Sequence, residues 1–209
     1  MKTVLKALAA TGVMLLFMGL PAGAQTSSGG VKKFKYEANI MVGLRPMADD
    51  SDEFPSRYWY SSQRELSDFY EAYTGDPGYS AFYTADFNVH LTNWLKVGAS
   101  AGYAKVWANV FDPRVNKKIG EKTLNDYSLL GQAKFTFINR QLFRMYAGIG
   151  AGASVWAVND RGETYSKILP AVECIPLGFQ WMDHKIYTTL EIVVGTRMGG
   201  VRGGLGYRF

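Results

Sequence analysis

The segment Phe34-Lys-Tyr-Glu-Ala-Asn-Ile-Met-Val-Gly-Leu-Arg45 decides the fold, because two kinds of side chain alternate along all twelve of its positions. One face carries the apolar and aromatic residues from Phe34 to Leu44. The other carries mainly polar or small residues such as Lys35 and Glu37. Successive side chains of a strand point to opposite faces, whereas a helix would mix the two kinds. The segment therefore predicts a β-strand with one apolar face.

The same alternation recurs along the chain and predicts eight strands in all. The seven further segments begin near Tyr79, Leu95, Asp126, Phe143, Lys167, Ile186 and Val201. Each is roughly ten residues long, which is the length of a tilted strand that crosses a membrane. The segment from about Lys167 to Gln180 is less regular, and Pro176 within it predicts a bulge that changes the alternation.

The composition supports strands and excludes most cofactor chemistry. Aromatic residues make up 14% of the 209 residues, and there are 23 glycines. This favours strands over helices. The single cysteine, Cys174, excludes an internal disulfide and a cysteine-based zinc site, and two histidines leave little for a histidine-based metal site. We therefore predict no metal and no cofactor.

The first 24 residues are predicted to be a cleaved signal peptide. Lys2 and Lys6 form a basic head, Val13–Leu20 is apolar, and Ala22-Gly23-Ala24 has the small-residue cleavage pattern. The alternative is an N-terminal anchor helix, although the apolar stretch is shorter than a membrane span. Residues 25–32 are then a periplasmic segment, and residues 33–209 form the barrel domain.

Connections of alternating length favour a membrane barrel over a soluble one. Short links occur near Thr92, Asn139–Gln141 and Asp183, and longer ones at Pro46–Gly78, Asp112–Lys122 and Asn159–Ser166. Short turns at one end and longer loops at the other are typical of outer-membrane barrels. The alternative is a soluble lipocalin-like barrel with its apolar face inside.

Aromatic residues at the strand ends fit lipid interfaces better than a soluble surface. One predicted rim carries Phe34, Tyr36, Trp94, Phe143, Trp181, Tyr207 and Phe209, and the other carries Tyr79, Tyr83, Tyr103 and Tyr127. We therefore predict an eight-stranded antiparallel up-and-down transmembrane β-barrel whose apolar face meets lipid.

The carboxyl end resembles the terminal strand of bacterial outer-membrane proteins. Val201, Leu205, Tyr207 and the final Phe209 alternate with polar and glycine residues, which is the pattern of an outer-membrane insertion signal. With the leader and eight segments, the chain resembles the small OmpA/OmpX/OmpW-like barrels, as a barrel module alone. The resemblance implies localisation in the outer membrane of a Gram-negative bacterium, contact with its lipids, and assembly by the barrel-assembly machinery. It implies no single activity, because this fold carries several.

The polar face of the strands predicts a charged lumen. The predicted inward charges are Lys35, Glu37, Asp86, Lys134, Arg144, Glu173, Glu191, Arg197, Arg202 and Arg208. Eight strands enclose a space just wide enough for side chains, so we expect a structural network that plugs the barrel. The alternative is a gate or narrow passage for small solutes.

An enzymatic role is the weaker alternative. Some barrels of this size resemble lipid A hydrolases, acyltransferases or proteases, which use histidine with a serine or a carboxylate near the outer rim. Here His90 and His184 both fall near the opposite rim, without such partners. We therefore predict a non-catalytic protein with a structural or surface-interaction role.

The connection Pro46–Gly78 is the candidate interaction loop. It carries eight acids and two bases, a net charge of −6. Ser62 and Glu65 form a capping box, which predicts a short helix that ends before Gly75. The aromatic and apolar residues proposed for contact are Trp59, Leu66, Phe69, Tyr70 and Tyr73. These side chains either pack onto the barrel mouth or contact a protein, a glycan or an envelope component.

The mature chain carries only a modest positive charge. Nucleic acid is therefore not predicted as a partner.

Overall fold

The computed structural model of this chain describes residues 34–44, 46, 73–112, 114–115 and 117–209. These residues form one antiparallel sheet and no helix. The strands are β1 (Tyr36–Gly43), β2 (Tyr73–Thr74), β3 (Gly78–Tyr79), β4 (Phe82–His90), β5 (Leu95–Asp112), β6 (Lys117–Asn139), β7 (Phe143–Asp160), β8 (Glu163–Asp183), β9 (Ile186–Gly195) and β10 (Gly199–Arg208). The described part of the chain contains no helix that is long and apolar enough to cross a membrane.

The sheet closes on itself, because the first and last strands are hydrogen-bonded neighbours. Glu37 in β1 lies opposite Arg208 in β10 on one side and opposite Asn88 in β4 on the other. Every other neighbour in the ring is also the next strand in sequence, apart from the short β2 and β3. The predicted fold class, an eight-stranded antiparallel up-and-down barrel, is therefore confirmed.

The apolar face of the strands points outward. Ile40 is 69% exposed, whereas the neighbouring Met41 is fully buried, and this alternation continues around the barrel. Aromatic rings meet on the outer face at two heights. Tyr36 stacks on Phe209 where β1 begins and β10 ends, and Tyr103 contacts Tyr127 midway along β5 and β6. An inside lined by charged and polar side chains does not fit a lipocalin-like barrel, which would need its apolar face inside.

The barrel has two unlike ends, because four strands continue well beyond the others. Strands β5 to β8 are 18 to 23 residues long, whereas β1, β4, β9 and β10 have 8 to 10. We call the end with the tall strands the hairpin end. We call the opposite end the turn end. It carries the short turns, the start of β1 and the end of β10.

The predicted lengths of the loops Asp112–Lys122 and Asn159–Ser166 are wrong. Asp112 and residues 117–122, 159–160 and 163–166 lie in strands, and Arg161 and Gly162 form the turn between β7 and β8. Both of these turn residues have positive φ, 52° and 98°. The strands persist because Val106, Leu124 and Val158 face inward and pack together.

The first loop returns to the barrel as strand rather than helix. Tyr73 lies opposite Phe111 and Gly78 opposite Trp107, so β2 and β3 extend the wall along β5. A side chain at position 78 would bring its Cβ within 2.7 Å of the Trp107 ring, so the close contact requires glycine. The predicted helix included Tyr73, and for that residue the prediction is wrong. The other residues predicted to form this helix lie outside the described residues.

The bulge predicted at Pro176 is confirmed. The register of β8 shifts between Cys174 and Leu177 against β9, and a matching shift occurs against β7. The shift turns Gly178 inward, where the ring of Tyr146 occupies the space that a side chain would need. The change in alternation at the bulge is thus accommodated by Tyr146 of the neighbouring strand β7.

Candidate functional site in the barrel lumen

A balanced cluster of ion pairs fills the middle of the lumen. We call it the central cluster; it comprises Asp86, Lys134, Glu173, Glu191, Arg197 and Arg202. Nζ of Lys134 lies 2.9 Å from Oδ2 of Asp86 and 2.8 Å from Oε1 of Glu191. Three acids face three bases, and all six side chains are buried. Burial is tolerable only with such pairing, because an isolated charge is costly to remove from water.

Arg202 joins the two glutamates of this cluster. Its Nε lies 2.6 Å from Oε2 of Glu191, and its Nη2 lies 2.7 Å from Oε1 of Glu173. Arg197 contacts the same Glu173 carboxylate with a separation of 2.5 Å. Arg202 and Glu191 lie directly opposite each other on neighbouring strands, so the register of β9 and β10 fixes their contact.

A second group of charges, the turn-end cluster, surrounds Glu37. Its carboxylate accepts from Nζ of Lys96 at 3.0 Å and from Nη1 of Arg144 at 2.9 Å. Nε2 of His90 lies 2.8 Å from the same carboxylate. Arg208 is also buried at this end, but its Nη atoms contact the sulfur of Met182 and the backbone oxygen of His184.

Lys35 is the one predicted lumen charge that lies outside the barrel interior. β1 begins at Tyr36, so Lys35 lies beyond the rim and is exposed to solvent. Its Nζ lies 5.5 Å from the centre of the Tyr36 ring. The alternation predicts that the side chain of Lys35 points inward. The strands of the barrel wall do not extend far enough to enclose it. The prediction for this residue is wrong.

Two residues of the network, Lys96 and Tyr146, are absent from the predicted set of lumen residues. Lys96 is buried against Glu37 and Gln180. The hydroxyl of Tyr146 donates to Glu191 and lies 3.0 Å from that of Thr189. Lys96 lies on the polar face of its segment, and Tyr146 shares a face with Arg144, so the alternation itself could have identified both.

Tyr146 also connects the two clusters physically. Nζ of Lys96 lies 4.8 Å from the centre of its ring, and Nζ of Lys134 lies 5.4 Å from it. Cations over an aromatic face are stabilised by the ring quadrupole. Gly148 leaves room for this arrangement, since a Cβ there would lie 3.2 Å from Cγ of Lys134.

An apolar group lies in the lumen on the hairpin-end side of the central cluster. Phe82, Ala104 and Met198 are fully buried against one another. The guanidinium of Arg197 lies 5.4 Å from the centre of the Phe82 ring, so this group lies directly against the central cluster. The charged side chains in the middle of the lumen are therefore bordered by an apolar group on the hairpin-end side.

The other predicted site residues have the following places. Val201, Leu205, Tyr207 and Phe209 all point outward from the last strand and are exposed. Trp59, Leu66, Phe69 and Tyr70 lie outside the described residues, and Tyr73 belongs to β2.

Residues with catalytic or metal-binding chemistry are dispersed in the described part of the chain. His90 lies against Glu37, and His184 is an exposed turn residue with φ of 49°. Cys174 is a free, half-buried thiol on the outer face of β8. No group of three or more His, Cys, Asp or Glu side chains among the described residues could hold a metal ion.

Comparison with known proteins gives similarity of structure only. No family model matches the chain, and no curated protein matches it in sequence. The N-terminal β-barrel domain of Pseudomonas aeruginosa OprF aligns with 85% of this chain and 100% of its own, at 8% identity and a TM-score of 0.43. Ail, the attachment invasion locus protein of Yersinia pestis, solved with the heparin analogue sucrose octasulfate, aligns with 84% and 99%, at 13% identity and a TM-score of 0.40.

Proposed function

We propose that this protein is an integral β-barrel of a Gram-negative outer membrane, with a structural or surface-interaction role and without catalytic activity. The observation that carries the proposal is the polarity of the closed barrel, which is apolar outside and charged inside. Such a surface is stable in lipid, where a closed barrel also satisfies every backbone hydrogen bond of its wall. The turn end then faces the periplasm, and the hairpin end faces outward.

The lumen is proposed to be plugged. A solute that passed through it would have to separate Glu191 from Lys134 and Arg202, and then displace the apolar group at Phe82. Breaking one buried ion pair costs about 3–5 kcal/mol. The network thus supports a role in holding the barrel wall rather than in transport.

The proposed contact surface is the acidic loop of residues 46–78. Its net charge of −6 and its aromatic residues suit a protein, glycan or envelope partner. The pairing of β2 and β3 with β5 ties the end of this loop to the tallest part of the wall. During assembly, the exposed apolar residues of β10 would be recognised by the barrel-assembly machinery, as strand addition at an open sheet edge.

The first test is electrophoresis of the membrane fraction with and without heating. A lipid-embedded barrel resists detergent until it is boiled, because its backbone groups are hydrogen-bonded within the ring. We expect a compact band that shifts on boiling. Recovery of the protein in the soluble fraction, with no heat-dependent shift, would refute the membrane proposal.

A narrow passage is the second candidate, and one observation favours it. Five buried oxygen atoms on β1, β4, β5 and β6 have no hydrogen-bond partner among the described residues; they belong to Asn39, Thr84, Asp86, Ser100 and Gln132. Buried polar atoms of this kind are normally satisfied by ordered water. A hydrated wall could conduct small solutes if the apolar group opened. Planar-bilayer recordings decide between the candidates, since a stable and reproducible open state would contradict the plugged lumen.

A further inference from the structure

The two charge clusters of the lumen differ in balance. The central cluster holds three acids and three bases, all in contact. The turn-end cluster holds Lys96, Arg144 and Arg208 but only one carboxylate, Glu37. Counted without His90, these side chains carry an excess of two positive charges. The other buried carboxylates of the described residues belong to the central cluster or, for Asp126, contact Ser154.

This excess is buried rather than solvated. Lys96, Arg144 and Arg208 are 1%, 6% and 4% exposed. Arg208 lies opposite Glu37 in the register of β1 and β10, and Arg144 contacts the same Glu37, so both arginines belong to one end of the lumen. Buried charges of one sign are unfavourable unless a counter-charge accompanies them. A further negative group at this end of the barrel would offset the excess.

Unpartnered polar atoms lie at the same end. Nε of Arg208 has no hydrogen-bond partner, and its Nη1 contacts a thioether sulfur, which is a weak acceptor. The guanidinium also lies 4.8 Å from the centre of the Phe34 ring. The hydroxyl of Tyr187 is also buried without a partner; its ring lies across Gly206, and it interacts electrostatically with Glu37. Excess positive charge and unused donors thus coincide at the turn end.

We propose that the turn-end cluster binds one small oxyanion of the phosphate or sulfate class, held by Arg208 and Arg144 with the Tyr187 hydroxyl as an additional donor. A guanidinium offers parallel N–H groups that match the oxygens of such an anion. Glu37 already neutralises one of the three cations, so a doubly charged anion would balance the remaining two. The barrel would then carry a periplasm-facing anion site, independent of the outward loop.

The test is equilibrium dialysis of the full chain, folded in detergent, against radiolabelled inorganic phosphate at constant low ionic strength. We expect saturable binding of one phosphate per chain. Arg208→Gln should weaken binding by about tenfold or more, because it removes a charge-assisted donor pair. Arg208→Lys keeps the charge and should retain measurable binding. Absence of saturable binding would overturn the proposal.

Two matched controls distinguish this site from a general attraction of anions to the rim. Arg140→Gln and Lys185→Gln each remove one exposed cation near the same end, and both should bind phosphate as the unmodified chain does. Equal weakening in Arg140→Gln and Arg208→Gln would contradict the site. Electrophoresis with and without heating verifies that each variant is a folded barrel.

Glu37→Gln gives an independent readout. This change raises the positive excess, so phosphate should raise its unfolding temperature more than that of the unmodified chain, through binding to the folded state. An equal or smaller rise would contradict the proposal. Phosphatidylglycerol added to the micelles should not compete with phosphate, because a lipid headgroup outside the wall cannot reach the lumen. Competition would overturn the placement inside the barrel.

Discussion

At the scale of single residues, Glu191 is the carboxylate on which most of the central cluster depends. Lys134, Arg202 and Tyr146 all contact it, and it is fully buried. Glu191→Gln would remove the negative charge that Lys134 and Arg202 share, while both cations stay buried. We expect a loss of about 3–5 kcal/mol in the free energy of unfolding, the usual effect of removing one partner of a buried pair. The measurement is urea unfolding in lipid vesicles, followed by the heat-dependent gel shift.

Glu163→Gln is the matched control for that prediction. Glu163 is an exposed acid at the start of β8, so its neutralisation should change stability by no more than about 0.5 kcal/mol. Similar unfolding midpoints for the two variants would show that the central cluster does not hold the barrel together.

The lumen residues also show how far alternation predicts a site. Asp86, Lys134 and Glu191 could be assigned to the interior because each lies on the polar face of a regular segment. Their pairing could not be predicted, because it joins strands that are distant in sequence. Lys35 was misplaced for a related reason: a period of two gives the direction of a side chain but not the height at which the wall ends.

At the scale of elements, the tall strands show what a local pattern cannot define. Lys105 and Asn109 interrupt the apolar face of the third segment, so its alternation predicts a strand of only about ten residues from Leu95. In the structure β5 continues to Asp112, because its inward residues there are Val106, Ala108 and Val110. Packing against the neighbouring hairpin sustains the strand, and that contact cannot be seen from one segment. Pro176 was the opposite case, since a proline within a strand indicates a bulge by itself.

The outward face of the strands can be tested at Ala151. This exposed residue lies in the middle of β7, opposite Gly131 and Val172 on its neighbouring strands. Ala151→Arg should hinder insertion, because an arginine near the bilayer midplane costs roughly 2–4 kcal/mol. The measurement is the fraction of protein that shows the heat-dependent shift after extraction from membranes.

Ser166→Arg is the corresponding control on the neighbouring strand. Ser166 is exposed on the part of β8 that extends past the short strands, opposite Ala157. An arginine there would meet water rather than lipid, so insertion should be unchanged. Equal tolerance of arginine at positions 151 and 166 would contradict the assigned lipid face.

At the scale of the whole molecule, the barrel separates three environments along one axis. Unbalanced positive charge lies at the turn end, a neutral network lies in the middle, and an apolar group lies beneath the hairpin end. The closed ring could be predicted from eight alternating segments, since a sheet with an apolar outer face has no stable open edge in lipid. The greater length of β5 to β8 could not be predicted, because it depends on how these strands pack against one another beyond the ends of the short strands.

The acidic loop and the barrel that would hold it are expected to be separable. Deleting residues 51–72 removes most of the acidic and aromatic residues of the loop but keeps the β2 and β3 segments that pair with β5. The barrel should remain intact and heat-modifiable, with its free energy of unfolding changed by no more than about 1 kcal/mol, because loop length affects closure entropy only weakly.

Binding should behave differently from stability in that deletion. We expect cells that display the deletion variant to lose adhesion to a panel of immobilised glycans and matrix proteins. A full-length variant with Trp59, Phe69 and Tyr70 replaced by serine keeps the length and the charge of the loop. Loss of adhesion in both variants would assign the contact to the aromatic residues, because they are the shared change. Adhesion that survives the deletion would contradict the loop as contact surface, and a deletion variant that cannot fold would contradict the independence of barrel and loop.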